Sequence, residues 1–389
     1  MGKIELDHTG SGSGITLSSD GTDLLLDGTA VGGGGGADLY AAETTGSTDP
    51  TATGTLSLAI GSSANGSGTN AVAIGNGATA GTYSVGIGWN AGNTGTNNVI
   101  IGRASAGTYN QGATVVGYNA SSSGYSSNQT ALGYNSKANS GAQATALTNS
   151  YASGTDSFAA AIASNSSSYG ASGANSVAIG DRAKATASDS FAIGNVATAS
   201  AAGASVLGGQ NNTASGSNST AIGGGSNTAS GDYSTAKGYY GNANGIRLKH
   251  ATGVYPNQQG AYYVLGYTTS DATAIALNTS VWTPNSTNQI VLPNNSAFAF
   301  HGTVVAREQA ADGTDCAAWK IEGLIRREGS ASTTTLVNSA ITVLDNTPSW
   351  GLALSADTTN GCLKIQATGA AATDIRWVAT IHTSEVTYA

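Results

Sequence analysis

The chain has 389 residues, enough for two or three domains, yet only 9% of them are Asp, Glu, Lys or Arg, against about 25% in ordinary soluble domains. A net charge of −8 without any cluster of Lys and Arg excludes a surface that tracks nucleic-acid phosphates. The 56 glycines, with abundant Ser, Thr, Asn and Ala, would suit a disordered linker, but regularly spaced aliphatics speak against that reading.

The opening, MGKIELDHTG, has no basic segment followed by an apolar run, and no window approaches the roughly 18 apolar residues of a membrane span. The expectation is a chain made in the cytosol that does not insert into a membrane. In residues 1–31, Ile15 and Leu17 stand before an SDG turn, and Leu24 and Leu26 before an LDG turn. Short hairpins of an attachment segment follow from that alternation, with an unstructured leader as the competing reading. Residues 32–55, opening with the five glycines Gly32 to Gly36, read as a flexible hinge.

From 56 to 243 the sequence repeats itself. NAVAIGNGATA at 70–80 returns as NSVAIGDRAKATA at 175–187, and aligning every copy on its last glycine, with two degenerate copies ending at Thr148 and Ala163, gives thirteen units spaced 13 to 17 residues apart. A branched aliphatic precedes the aligned position in twelve of the thirteen, including Ile60, Ile74, Ile87, Ile101, Ile179, Ile193 and Ile222. Two residues earlier stand Leu58, Val72, Val85, Val99, Val177 and Phe191, so positions i and i+2 share a face as in a strand. Each unit is therefore a rung of two short strands, and stacking rungs about 4.8 Å apart builds a core from that aliphatic row. The residue between the two aliphatics is then expected to face outward. It is Ala59, Ala73, Ala131, Ala178, Ala192 and Ala221 among others, a stripe small enough for another backbone to approach, which predicts packing against identical copies.

From 246 to 389 glycine thins and four of the five tryptophans appear. AYYVLGY, AFAFHGTVVARE, AAWKIEGLIRRE, GCLKIQATG and IRWVATIHTSEV alternate as strands between turn-forming residues, which predicts an antiparallel β-sandwich or jelly roll. Cys316 and Cys362 fit neither a metal spacing nor a disulfide framework and read as buried thiols.

Catalytic patterns are scarce. His8, His250, His301 and His382 are scattered and match no zinc motif, so neither a metal nor another cofactor is expected. The GxG in SVGIGWNAG lies within a rung rather than between a strand and a helix. Asp156, Asp181, Asp189 and Asp232 in the repeats, and Asp312 and Asp315 beyond them, read as turn residues rather than a glycosidase pair. Binding has better candidates. Trp89, Tyr118 and Tyr134 each follow an aligned glycine and precede Asn, so rings recur on different rungs and either stack on sugars or stack on the neighbouring rung. In the C-terminal region Trp282 and Trp350 lie by loop signals and are ligand-binding candidates, while Trp319 and Trp377 sit inside strand patterns and read as core.

NAVAIGNGATA, NSVAIGDRAKATASDSFAIGNVATAS and STAIGGGSNTASGDYSTAKG resemble the YadA-like head repeats of trimeric autotransporter adhesins over about residues 56–243. The resemblance implies a left-handed parallel β-roll assembled as a homotrimer. A secretion signal, a heptad stalk and a membrane-anchor barrel are not visible, which points instead to a tailed-phage fibre carrying the same rungs. NNSAFAFHGTVVARE, AAWKIEGLIRRE, ADTTNGCLKI and IRWVAT resemble C-terminal regions of fibre-like structural proteins of tailed phages. Together these imply a non-enzymatic virion protein that sits on the tail or surface. Its N-terminus would be held by other virion proteins, and a host-surface glycan or protein would be its receptor. A glycan-depolymerising tailspike and a capsid-decorating protein without receptor are the alternatives.

Overall fold

A computed structural model of the chain describes residues 48–388, except 108–110, 124–126, 140–141, 161–167, 281–282, 310–312 and 347, together with four short N-terminal strands. Those strands, Ile4–Leu6, Ile15–Ser19, Leu24–Leu26 and Thr29–Ala30, form an antiparallel sheet in chain order. Most of the segment read as a hinge lies outside the described residues. The chain divides into two compact units, Met1–Asp156 and Ser157–Ala389. The described residues contain no α-helix, and no helix is long and apolar enough to cross a membrane.

Parallel β-solenoid rungs fill the first unit from residue 51. Among the described residues its longer strands are Leu58–Ile60, Val72–Ile74, Val85–Ile87, Val99–Ile101, Thr114–Val116, Thr130–Leu132 and Thr145–Leu147, each paired in register with the next. Short return strands such as Asn65–Gly66 and Thr79–Ala80 stack in parallel beside them. Pairing begins at Thr51–Ala52, inside the expected hinge. The second unit repeats the pattern in Phe158–Ala160, Val177–Ile179, Phe191–Asn195, Ser205–Gln210, Thr220–Gly225 and Thr235–Tyr239, and rung pairing continues to Gly253, beyond the expected limit of 243. The degenerate copy aligned on Ala163 uses Phe158–Ala160, two residues earlier than the sequence alignment placed it.

The period-2 reading of the rungs holds, but its phase is reversed. Ala59, Ala73, Ala131, Ala178, Ala192 and Ala221 are the buried residues, so the alanines read as facing neighbouring copies line the inside of their own rungs. Ile60, Ile74, Ile87, Ile179 and Ile193 are half-buried, and Ile101 and Ile222 are exposed, so the aliphatic row read as the core lies outside. The physical reason is the closeness of the two strands of a rung. A Cβ built on Gly86 would lie 2.3 Å from the Thr79 carbonyl oxygen, and one on Gly66 3.0 Å from that of Leu58. Such a space takes a hydrogen at Gly86 and no more than a methyl at most other inner positions, which leaves the larger aliphatics outside. Where a rung does carry a large inner residue, its partner shrinks: Ile100 is fully buried, and a Cβ on Gly107 would come within 2.6 Å of its Cδ1.

Corners repeat as strictly as strands. Asn70, Asn90, Asn97, Asn119, Asn135, Asn175, Asn211 and Asn218 all have φ between 53° and 58°, where Asn is among the residues best tolerated. The aligned glycines are bound twice over. Gly75 has φ 126°, and a Cβ there would meet the Gly88 carbonyl oxygen of the next rung at 2.5 Å.

Beyond the rungs the second unit has ten strands, numbered here β1 His250–Tyr255, β2 Gln258–Thr269, β3 Ile275–Ala276, β4 Ile290–Val291, β5 Ser296–Glu308, β6 Cys316–Arg327, β7 Thr335–Asn346, β8 Gly351–Asp357, β9 Cys362–Thr368 and β10 Ile375–Thr387. β1 pairs in parallel with Thr235–Tyr239 and antiparallel with β2, and the sheet continues antiparallel through β10, β5, β6 and β7. A smaller antiparallel sheet sets β8 on one side of β9, with β3 and β4 on the other. Leu265, Phe298, Val304, Trp319, Ile321 and Trp377 of the large sheet form one buried cluster with Leu363 and Ile365 of the small one. Of the two cysteines, Cys362 is buried and Cys316 exposed, which corrects the expectation of two buried thiols. Burial, reinforced by Asp357 and opposed by Arg327, pushes the Cys362 thiol up to about 12.

A buried polar cluster joins the last rung to the tip sheet. Lys249 stands where most rungs bury a Ser or Ala, and its Nζ donates to Glu385 Oε2 at 2.7 Å with both side chains nearly inaccessible. Gln259 Nε2 donates to the same oxygen, while Tyr263 Oη and Thr383 Oγ1 donate to Oε1 at 2.7 and 2.8 Å. Burial holds the Lys249 ammonium below its usual range although Glu385 opposes the shift, and burial with Glu385 raises the Tyr263 hydroxyl well above its own.

Two outcomes follow. Ala178→Leu, which overfills the rung, is expected to cost about 1–3 kcal/mol or more in denaturant unfolding, whereas Ile179→Leu on the outer side costs under about 1.5 kcal/mol; equal costs would reverse the assigned phase. Glu385→Ala, which strands the Lys249 charge, is expected to destabilise by roughly 3–5 kcal/mol, with much of the loss recovered in Lys249→Met/Glu385→Leu. Calorimetric melting of the three proteins checks this.

Candidate binding surfaces

The in-register pairing of Ile87, Ile101, Val116 and Leu132 determines what stands two residues further along each strand exit. Trp89, Arg103, Tyr118 and Tyr134 fall in one column, each directly after an aligned glycine. Backbone bonds climb the same column: Ala104 N donates to Trp89 O, Asn119 N to Arg103 O and Asn135 N to Tyr118 O, at 2.8, 3.0 and 2.9 Å. The Arg103 guanidinium lies 4.9 Å from the Trp89 ring and 5.5 Å from the Tyr118 ring. Tyr118 and Tyr134 stack at 5.6 Å with 12° between their planes, and Asn119 Nδ2 donates to Asn135 Oδ1 beside them at 3.0 Å.

Of the two readings of these rings, stacking on the neighbouring rung is the one the geometry supports. Faces spent on a guanidinium or another ring are not free for a sugar. Arg103 was missed in the sequence because the search there was for aromatics. Reading the full column after each glycine, W, R, Y, Y, would have found it.

Elsewhere the tryptophan candidates separate. Trp350 is buried, its ring 6.0 Å from Trp377, and its backbone N–H and C=O are both bonded to the Asn346 side chain, so it belongs to the core and is no ligand platform. Trp377 also stacks on Trp319 at 5.5 Å. Trp282 lies outside the described residues. The repeat carboxylates are tied to corners: Asp181 accepts from Asn195, Asp189 from Asn175, and Asp232 from the Ser217 N–H.

Histidines scattered in sequence converge in the tip. Sheet register lines up Thr235, His250, Tyr262, His382, His301 and Glu322 across six strands. Ring centroids step 6.2, 5.0 and 5.4 Å from His250 through Tyr262 and His382 to His301. Among the described residues no group of three or more His, Cys, Asp or Glu has a metal-holding arrangement.

A long apolar surface lies on the outside of the rungs. In the first unit it comprises Leu58, Val72, Val85 and Val99 in one row and Ile60, Ile74, Ile87, Ile101, Val116 and Leu132 in the other. In the second unit Val177 and Phe191 stand in the first row, and Ile179, Ile193, Leu207 and Ile222 in the second. Val99 is 37% exposed, Leu132 38%, Leu207 46% and Ile222 42%. Contiguous apolar rows of this length mark an interaction surface.

Residues 52–78, 130–147, 171–197 and 209–226 match the YadA head domain repeat, so these stretches of the rungs are similar to that repeat. Among solved structures, the tailspike protein of Acinetobacter phage vB_ApiP_P1 aligns at 12% identity over 84% of this chain and 57% of its own, with a TM-score of 0.22. The tailspike protein of Acinetobacter baumannii phage AM24 aligns at 9% identity over 80% of this chain and 53% of its own, with a TM-score of 0.18. The chain thus spans little more than half the length of either, and scores this low carry no argument about fold or activity. No curated protein sequence matches the chain.

The ladder gives a direct test. Arg103→Ala removes two cation–π contacts of about 0.5–1 kcal/mol each, so the expected result is a lower melting temperature and altered Trp89 emission, with adsorption to host cells unchanged. Lost adsorption at an unchanged melting temperature would assign the column to a ligand instead.

Proposed function

We propose that the chain is a non-enzymatic structural adhesin of a phage virion, a tail-fibre protein that works as a homotrimer. The observation that carries the reading is the outward aliphatic row of the YadA-type rungs, Ile60, Ile74, Ile87, Ile101, Val116 and Leu132 in the first unit and Ile179, Ile193, Leu207 and Ile222 in the second, beside a first row in which Thr114, Thr130, Ser205 and Thr220 follow the aliphatics. Moving a fully exposed Ile or Leu out of water is worth roughly 1.5–3 kcal/mol, so half-exposed side chains repeated along a unit supply ample energy for association. Self-association therefore runs through the aliphatic rows, and the alanines, already enclosed, take no part in it. In-register stacking keeps these rows straight, which lets identical copies meet along their whole length.

Adhesion in such an assembly is multivalent. Three equal sites raise avidity by orders of magnitude without a tight single contact. The N-terminal segment is the candidate for attachment to other virion proteins, and a host-surface glycan or protein is the receptor. The absence of enzymatic activity is part of the proposal and is supported by Asp181, Asp189 and Asp232, whose carboxylates are bound within their own stack rather than facing a partner acid across a groove.

Light scattering of the purified protein is expected to give three times the 38.1 kDa chain mass. Ile222→Asp, on the outer row, is expected to lower that mass while leaving the β circular-dichroism spectrum unchanged. A monomeric parent protein would remove the basis for the proposal.

A further inference from the structure

A cavity of about 480 Å³ opens in the second unit where β2 leaves β1 and passes the segment 278–280. Arg247, Arg376, Thr279, Ser280, Val264 and Val378 line it. Neither arginine has an ion-pair partner among the described residues, in a chain that carries eight more acidic than basic side chains. Arg247 is held in place: its Nε donates to the Thr279 carbonyl at 3.3 Å and its guanidinium lies 4.5 Å from the Tyr233 ring. Arg376 projects from β10 and is exposed, one residue before the buried Trp377.

Thr279 forms the wall beneath the two arginines: its residue is 5% exposed, and its Oγ1, closed off from the cavity, has no hydrogen-bond partner among the described residues. A buried hydroxyl without a partner costs about 1–3 kcal/mol. The cavity also sits beside the row of His250 and Tyr262 rather than on it, since Val264 lies two residues further along β2.

We infer that this cavity binds a saccharide residue bearing a carboxylate. The chemistry follows the lining. A guanidinium takes a carboxylate through paired, charge-assisted hydrogen bonds, and two guanidiniums with no acid of their own make the site selective for an anion. Val264 and Val378, both exposed, take the apolar C–H face of a sugar, while the Ser280 hydroxyl is occupied by Asn278 and Asn288 and leaves the arginines as the polar contacts. The volume suits one or two sugar rings. The assignment rests on the adhesive reading above and names the class of receptor that reading requires.

Glucuronate and glucose differ at C6 by the carboxylate alone, so saturation-transfer NMR and calorimetric titration with each, on the full chain, test the assignment. Glucuronate is expected to bind at least tenfold more tightly than glucose and to weaken as NaCl rises. Arg376→Gln, an exposed position, is expected to lose glucuronate binding at least tenfold at an unchanged melting temperature. Thr279→Val serves as the structural control: it is expected to raise the melting temperature by about 2 °C, because the unpaired hydroxyl is gone, and to leave the preference for glucuronate over glucose in place. Equal affinity for the two sugars, no binding of either, or inorganic phosphate binding as tightly as glucuronate overturns the assignment. Host-cell adsorption keeps the two readings apart. Adsorption retained by Arg376→Gln sinks this site and leaves the adhesin standing, whereas no adsorption by a protein that binds glucuronate sinks the adhesin and leaves the site.

Discussion

Everything in the rungs depends on how closely the two strands of one turn face each other. A carbonyl oxygen only 2.3 Å from where a Cβ at Gly86 would stand leaves no room for branched side chains at most inner positions. Alanine, serine and glycine fill the interior, and the residues between them must point out. Hydrophobic residues therefore end on the outside not by default but because the inside excludes them. A chain that buries methyls and exposes larger aliphatic groups leaves its hydrophobic burial unfinished, and that deficit is what the proposed self-association would relieve.

The same closeness sets the corners. To reverse direction within a few residues the backbone takes positive φ at the corners, which is why Asn recurs there and why the aligned glycines have φ of 103–142° from Gly61 to Gly194 and 54–86° at Gly208, Gly223 and Gly238. Because every rung turns at the same place, side chains just past the glycines fall into columns. The Trp89, Arg103, Tyr118 and Tyr134 ladder is a consequence of register, each member held against the next by the backbone beneath it.

At the end of the repeats the economy of the rung changes. Lys249 occupies an inner position that mostly holds Ser or Ala, and its charge is tolerated because Glu385 from the last strand reaches it, with Tyr263, Thr383 and Gln259 completing the carboxylate's shell. A pair of this kind contributes little net stability against an apolar alternative, but it admits one arrangement of β1, β2 and β10 and penalises others. It couples residues 136 apart in sequence, so neither partner carried a local signal.

Strand, turn and repeat were legible in the sequence because they are local. Ile60 and Leu58 share a face whichever way that face points, and Asn and Gly mark corners by their own backbone preferences, so the period, the rung and the approximate thirteen-fold repeat could be read from residue types alone. Which face is inner could not, since period 2 is symmetric and the choice between Ala178 and Ile179 rests on the distance between two strands that no single strand encodes. For the same reason the sequence showed rings at Trp89 and Tyr118 but not the arginine between them, and histidines at 250, 301 and 382 but not their common row. Trp350 looked like a loop residue and is core, because its neighbours Trp377 and Asn346 are brought to it only by the folded sheets. Composition and periodicity determined what kind of structure forms; inter-strand distance and register, which exist only once the chain has folded, decided which of its side chains the world can touch.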